Sequence, residues 1–134
     1  MIEQLDHIAI AVASLDSAVP FYRDELGLPF LGYEDVPEQQ VRVAMFALGS
    51  SRIELLEPTS ETSPITKFLA DRGGGLHHIA LRTDALAPEL DRLAERGVRL
   101  IDRQPRNGAD GQKIAFVHPK AAQGVLLELT QHVE

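Results

Sequence analysis

Leu5-Asp-His-Ile-Ala-Ile-Ala-Val12 and, past the middle of the chain, Leu76-His-His-Ile-Ala-Leu-Arg-Thr83 are two versions of one pattern: an imidazole beside small and β-branched residues in an apolar run. A carboxylate in a second apolar run follows each at similar distance, Glu54 in Arg52-Ile-Glu-Leu-Leu56 and Glu128 in Leu126-Leu-Glu-Leu-Thr130. Two half-length copies that each contribute one histidine and one glutamate point to a duplication, and to a divalent metal site assembled from both.

Outward from these runs the same order of elements recurs. Residues 5–12 read as a buried strand, Ser14 or Asp16 caps a helix that runs to about Leu26, and Gly27 stops it. Strands are expected at 30–35, 41–48 and 53–57, separated by Pro37 and by the Gly49-Ser-Ser51 turn. Ser63-Pro64 opens a linker helix closed by Gly73-Gly-Gly75. A strand at 77–82 follows, then a helix at 86–96 with a stripe of Leu86, Leu90 and Leu93 ending at Gly97, then strands at 98–103, 114–117 and 125–130. The expected fold class is α+β: two tandem βαβββ modules (about 4–58 and 76–131, with the linker at about 63–73) forming one curled mixed β-sheet with the helices outside. The chain, 1–134, is read as one domain whose uncovered sheet faces enclose a cleft.

Alternation along the strands decides which side chains face that cleft. Ile8, Ile10 and Val12 share the bulky face that goes under the helix, which leaves His7 on the other face with Ala9 and Ala11. In the second copy Ile79 and Leu81 occupy the helix-covered face together with His77, so register selects His78, beside Ala80, over His77. Glu54 lies between Ile53 and Leu55 and Glu128 between Leu127 and Leu129, each opposite its strand's apolar face. Carboxylates on an inner wall are costly to desolvate unless paired or bound to a cation. His7, Glu54, His78 and Glu128 are therefore the candidate ligands. Asp6 is read as a strand-end surface residue, with Thr130 and Asp6 as candidate partners behind the ligands.

Composition narrows the chemistry. There is no cysteine, which removes disulfides, thiolate zinc sites and a thiol nucleophile, so any metal sits on nitrogen and oxygen. That donor set suits cobalt, manganese, nickel, iron or zinc, and an octahedral ion on four ligands keeps two positions open for a chelating substrate. A net charge of −7 argues against a nucleic-acid surface. An anionic ligand would need local cations, for which Arg103, Arg106, Lys113 and Lys120 are available. No apolar run approaches the roughly 20 residues of a membrane span, and the first residues carry no signal-peptide pattern, so a cytoplasmic location without membrane partners is expected.

The motifs Leu5-Asp-His-Ile-Ala9, Val36-Pro-Glu-Gln39, Ile53-Glu-Leu-Leu-Glu-Pro58, Gly75-Leu-His-His-Ile-Ala80 and Ile114-Ala-Phe-Val-His-Pro-Lys120, the last running into Gly124-Val-Leu-Leu-Glu-Leu-Thr130, resemble the vicinal oxygen chelate superfamily over nearly the whole length. Within it they most resemble the methylmalonyl-CoA epimerase family. That resemblance implies a metal held by His7, His78, Glu128 and Glu54, cobalt(II) first with manganese, nickel or zinc as alternatives, and a homodimer acting on an acyl-CoA. It implies interconversion of (2R)- and (2S)-methylmalonyl-CoA by proton abstraction at C2 through a metal-stabilised enolate, with Glu128 as first base. Some members place a glutamate where this chain has Val43, which leaves the second base open between Glu54 and a water. Lys113 and Lys120 are the candidates for substrate contacts. A glyoxalase-like lyase or isomerase, an extradiol dioxygenase using His77 or His118, and a metal-free binding protein are the competing readings on the same scaffold.

Overall fold

The computed structural model describes residues 1–133. Its class is the one expected, α+β with tandem βαβββ-like modules contributing to a mixed sheet. Two compact units divide the chain: residues 7–77, and residues 1–6 together with 78–134. The boundary falls inside the first strand, β1 (Ile2–Ala11), between Asp6 and His7.

In residues 7–77 the strands are β2 (Phe30–Val36), β3 (Val41–Leu48) and β4 (Ser51–Pro58), in the order β2-β3-β4-β1. Pairing is antiparallel except between β1 and β4, which run parallel with His7 opposite Arg52 and Ala9 opposite Glu54. The helix α1 (Leu15–Pro20) is capped by the Ser14 hydroxyl, which accepts from the Ser17 N–H at 3.3 Å. It is shorter than expected. Pro20 has no N–H and crowds the carbonyl a turn back, so the regular ladder gives way to a wider π turn over Phe21–Glu25, closed by the Leu26 N–H donating to the Phe21 carbonyl at 2.9 Å. Leu15 and Val19 pack against Ala44, Phe46 and Leu55, with Ile10, Val12, Tyr22, Phe30 and Ile53 around them. This is the helix-covered face that alternation assigns. The linker helix α2 (Pro64–Arg72) is capped by Ser63 and ends on Gly73 at φ 78°, a conformation open to glycine without strain.

The second boundary falls inside β5 (Gly75–Thr83), between His77 and His78, and the other unit holds the rest of β5 with α3 (Leu86–Glu95), β6 (Arg106–Asn107), β7 (Lys113–Val117) and β8 (Leu127–Gln131), in strand order β1-β5-β8-β7-β6. β5 and β8 are parallel, Ala80 opposite Glu128 and Arg82 opposite Thr130, and β7 and β8 are antiparallel, Phe116 opposite Glu128. Leu86 and Leu90 are fully buried on Ala115, Val117 and Leu129, with Leu93 at the margin. The strand expected at 98–103 is not formed. That stretch follows β7 through a single bridge, Leu100 to Val117, while the Ile101 and Asp102 N–H groups both donate to the Phe116 carbonyl and the Asp102 carboxylate accepts from the Phe116 N–H at 2.8 Å. A side chain that competes for the backbone donor replaces the ladder, and strand pairing resumes only after Pro105.

The duplication extends to the helix caps. The Leu15 N–H donates to Glu57 Oε1 at 2.9 Å and the Leu86 N–H to Gln131 Oε1 at 2.8 Å. Each acceptor stands three residues beyond the glutamate of its own strand, Glu54 or Glu128, and so on the opposite face. Gln131→Leu is expected to leave the first N–H of α3 without its acceptor and to cost about 1 kcal/mol, visible as a melting point a few degrees lower. Gln131→Glu should be tolerated, since the first module already uses a carboxylate there. Among the described residues no helix is long and apolar enough to cross a membrane.

Candidate metal centre

The parallel pairing of β1 with β4 sets Glu54 beside the histidine of the first module. His7 and Glu54 are both buried, and His7 Nδ1 lies 3.4 Å from Glu54 Oε2. Arg52, on the same face of β4 two residues earlier, brings Nη2 to 3.2 Å from that oxygen. The opposed cation offsets part of the cost of holding a carboxylate away from water. Small Ala9 and Ala11, both buried, continue the face along β1.

The second module repeats the arrangement. His78 Nε2 lies 3.3 Å from Glu128 Oε1, with both residues buried. Phe116, opposite Glu128 in the ladder, stands edge-on to the His78 ring at 5.4 Å and 89°, which fixes the plane of the imidazole. His77 sits on the other face of β5, packed edge-on against Phe68 at 4.9 Å.

His7, His78 and Glu128 form a buried group, each offering one ligand atom, with those atoms within 4.8 Å of one another. Such a group can hold a divalent cation. With metal–ligand bonds of about 2.1 Å, two donors on one ion stand about 3.0 Å apart at a right angle and about 3.4 Å apart at a tetrahedral angle. The 3.3 Å and 3.4 Å separations of the two pairs fall in that range, and the donors are all nitrogen and oxygen. Glu54, the fourth predicted ligand, stands outside the three-membered group and divides its contacts between His7 and Arg52.

The remaining predicted residues are placed as follows. Thr130 is buried opposite Arg82 and Ile114. Lys113 is exposed and donates to the Asn107 side chain, and Lys120 is exposed in the turn over Pro119–Ala122. His118 caps that turn by accepting from the Lys120 N–H at 3.0 Å. Partial desolvation first, and then the Arg99 and Lys120 charges, hold its imidazole below the usual histidine range. Arg103 pairs with Asp91 at 2.9 Å and Arg106 with Asp102 at 3.3 Å, so these two cations are engaged within the protein.

Two residues depart from the sequence reading. Asp6 is not at a strand end: β1 begins at Ile2, and Asp6 is 2% exposed, accepting from Arg82 Nε at 2.9 Å and meeting His132 Nε2 at 2.6 Å. Arg52 joins the site unanticipated by any motif, although its two-residue spacing from Glu54 places it on the same strand face.

Paired βαβββ modules that bury histidine and glutamate on adjoining strands define a class, and comparison with known families agrees: the Glyoxalase/Bleomycin resistance protein/Dioxygenase superfamily matches residues 6–116. An ethylmalonyl-CoA/methylmalonyl-CoA epimerase of Cereibacter sphaeroides is 41% identical over 133 residues, 98% of this chain and 99% of that protein. The Bacillus subtilis protein YqjC, itself uncharacterized, is 50% identical over 96% of this chain and 91% of its own length. A solved structure of methylmalonyl-CoA epimerase in complex with methylmalonyl-CoA and NH4+ superposes with a TM-score of 0.95 at 40% identity, covering 99% of this chain and 96% of that one. The chain belongs to the methylmalonyl-CoA epimerase family of this superfamily.

Proposed function

We propose that this chain is an epimerase that interconverts (2R)- and (2S)-methylmalonyl-CoA, with His7, His78 and Glu128 holding one divalent ion and Glu54 as the fourth carboxylate of the site. The observation that carries the reading is the buried His/His/Glu group, in a chain that matches a substrate-bound epimerase structure over nearly its full length. A divalent ion bound there supplies positive charge to the thioester and carboxylate oxygens, where negative charge develops as the C2–H bond breaks.

The protein's own groups move the proton. Glu128, with one oxygen toward His78 Nε2, is the first candidate to take the C2 proton on one face of the substrate. Returning it on the other face needs a second donor. Val43, buried on the same face of the first module as Met45, which stands opposite Glu54, is an alkyl group and cannot serve. Glu54, held between His7 and Arg52, is the acidic group nearest in role, with a water as the alternative. Glu54→Gln is expected to slow turnover more than it lowers metal content. Full turnover with full metal would remove Glu54 from the mechanism.

In this reading cobalt(II) is the first candidate ion, Lys113 and Lys120 are the candidate contacts to the CoA phosphates, and the enzyme works as a cytoplasmic homodimer. Incubation with (2S)-methylmalonyl-CoA in deuterated water tests the reading directly. Deuterium at C2 together with formation of the (2R) isomer, both lost on chelation and restored by cobalt(II), is the expected result. Unchanged substrate without deuterium at C2 would overturn it.

A further inference from the structure

Asp6 is one of the most buried side chains in the protein, and a carboxylate at 2% exposure persists only where charge or hydrogen bonds replace the water it has lost. Its Oδ1 meets Arg82 Nε at 2.9 Å, Arg82 Nη2 at 2.8 Å and His132 Nε2 at 2.6 Å. The origins of these groups share one feature. Asp6 immediately precedes His7 in β1. Arg82 follows His78 by four residues in β5, an even offset that puts it on the same strand face, and it stands opposite Thr130 of β8. His132 follows Glu128 by the same four residues, just past the end of β8. The Asp6 oxygen, carried by the strand of His7, thus meets one group from β5, the strand of His78, and one from just past the end of β8, the strand of Glu128.

We infer that Asp6 is a positioning residue for the metal centre: with Arg82 and His132 it pins the strands of His7, His78 and Glu128 so that their donor atoms meet one ion. The inference rests on the metal reading above. Its physical basis is that a metal site tolerates displacements of only tenths of an ångström in its ligands, while one step of strand slip is about 3.3 Å. The backbone ladder fixes β5 against β8, and the Asp6 carboxylate adds a charged anchor that ties β1 to both. Arg82 supplies two N–H groups to the same oxygen, and lysine would keep the charge while losing that paired geometry.

The test is cobalt(II) titration of metal-stripped protein, followed by its visible absorption, on wild type, Asp6→Asn, His132→Gln and Arg82→Lys, with the melting point of each metal-free protein measured in parallel. Asp6→Asn keeps the size of the side chain and removes its charge. It is expected to weaken cobalt(II) binding on the order of 10- to 100-fold and to alter the visible spectrum, with a smaller loss for Arg82→Lys. His132 is 35% exposed, so His132→Gln disturbs the fold least and is expected to weaken binding in the same direction even if Asp6→Asn does not fold. Lower melting points with unchanged cobalt(II) affinity and spectrum would make the cluster merely structural and overturn the inference. Wild type that takes up no stoichiometric cobalt(II) would instead overturn the metal reading itself, and the inference with it.

Discussion

His78→Ala is expected to strip the protein of its metal and to slow epimerisation by on the order of 10³-fold or more, a loss of the size seen when charge-stabilising groups are removed from an active site. His78 is buried and oriented by the Phe116 edge, and its Nε2 is 3.3 Å from Glu128. The neighbouring imidazole offers no rescue. His77 is one residue away and therefore on the opposite strand face, held against Phe68. The paired experiment is His77→Ala, which should keep both metal and turnover. Elemental analysis of the two purified variants, with deuterium incorporation into methylmalonyl-CoA as the activity readout, separates them. A metal-loaded His78→Ala protein would remove His78 from the ligand set.

Phe46→Ala is expected to have the largest effect on stability, about 3–5 kcal/mol, the range for emptying a buried aromatic site. Phe46 is fully buried in β3, with ring centroids 5.3 Å from Phe30 and 5.8 Å from Tyr22, beneath Leu15 and Val19 of α1. Three elements lose a common contact at once, so the cavity has little chance to close by local collapse. Against a total stability of about 5–15 kcal/mol this approaches the threshold of folding. Urea unfolding should show a midpoint far below wild type. A change under about 1 kcal/mol would mean that the core had repacked around the gap.

Much of this architecture was legible from two simple regularities. Alternation in the strands separated His78 from His77 and set Glu54 and Glu128 apart from the leucines beside them, because a period of two leaves each side chain one face to occupy. Capping chemistry at Ser63 and Gly73 marks helix ends that hold in the structure, and of the two caps open for the first helix, Ser14 and Asp16, it is Ser14 that serves. What escaped the reading depends on partners distant in sequence. Asp6 looks like an exposed strand end until β1 is seen to start at Ile2 and Arg82 to reach it from another strand. The stretch after Gly97 has the composition of a strand, yet the Asp102 side chain takes the backbone donor that a regular ladder would use. Pro20 sits within an otherwise helical pattern, and the change of winding that follows it, a π turn over Phe21–Glu25, leaves Tyr22 and Leu28 packed against the core around Phe46.

The division of β1 between the two compact units has a consequence for how the polypeptide is made. Residues 1–6 are synthesised before residues 7–77, but the rest of their unit begins only at residue 78. While residues 7–77 emerge from the ribosome and collapse on themselves, the leading segment carries donors and acceptors whose partners do not yet exist. Closing a loop of that length carries an entropic cost, so the pairing of residues 1–6 with residues beyond 78 is a late event. The nascent chain can therefore settle its first helix and three following strands well before translation ends, whereas the bond between Asp6 and Arg82 must await the second copy of the pattern.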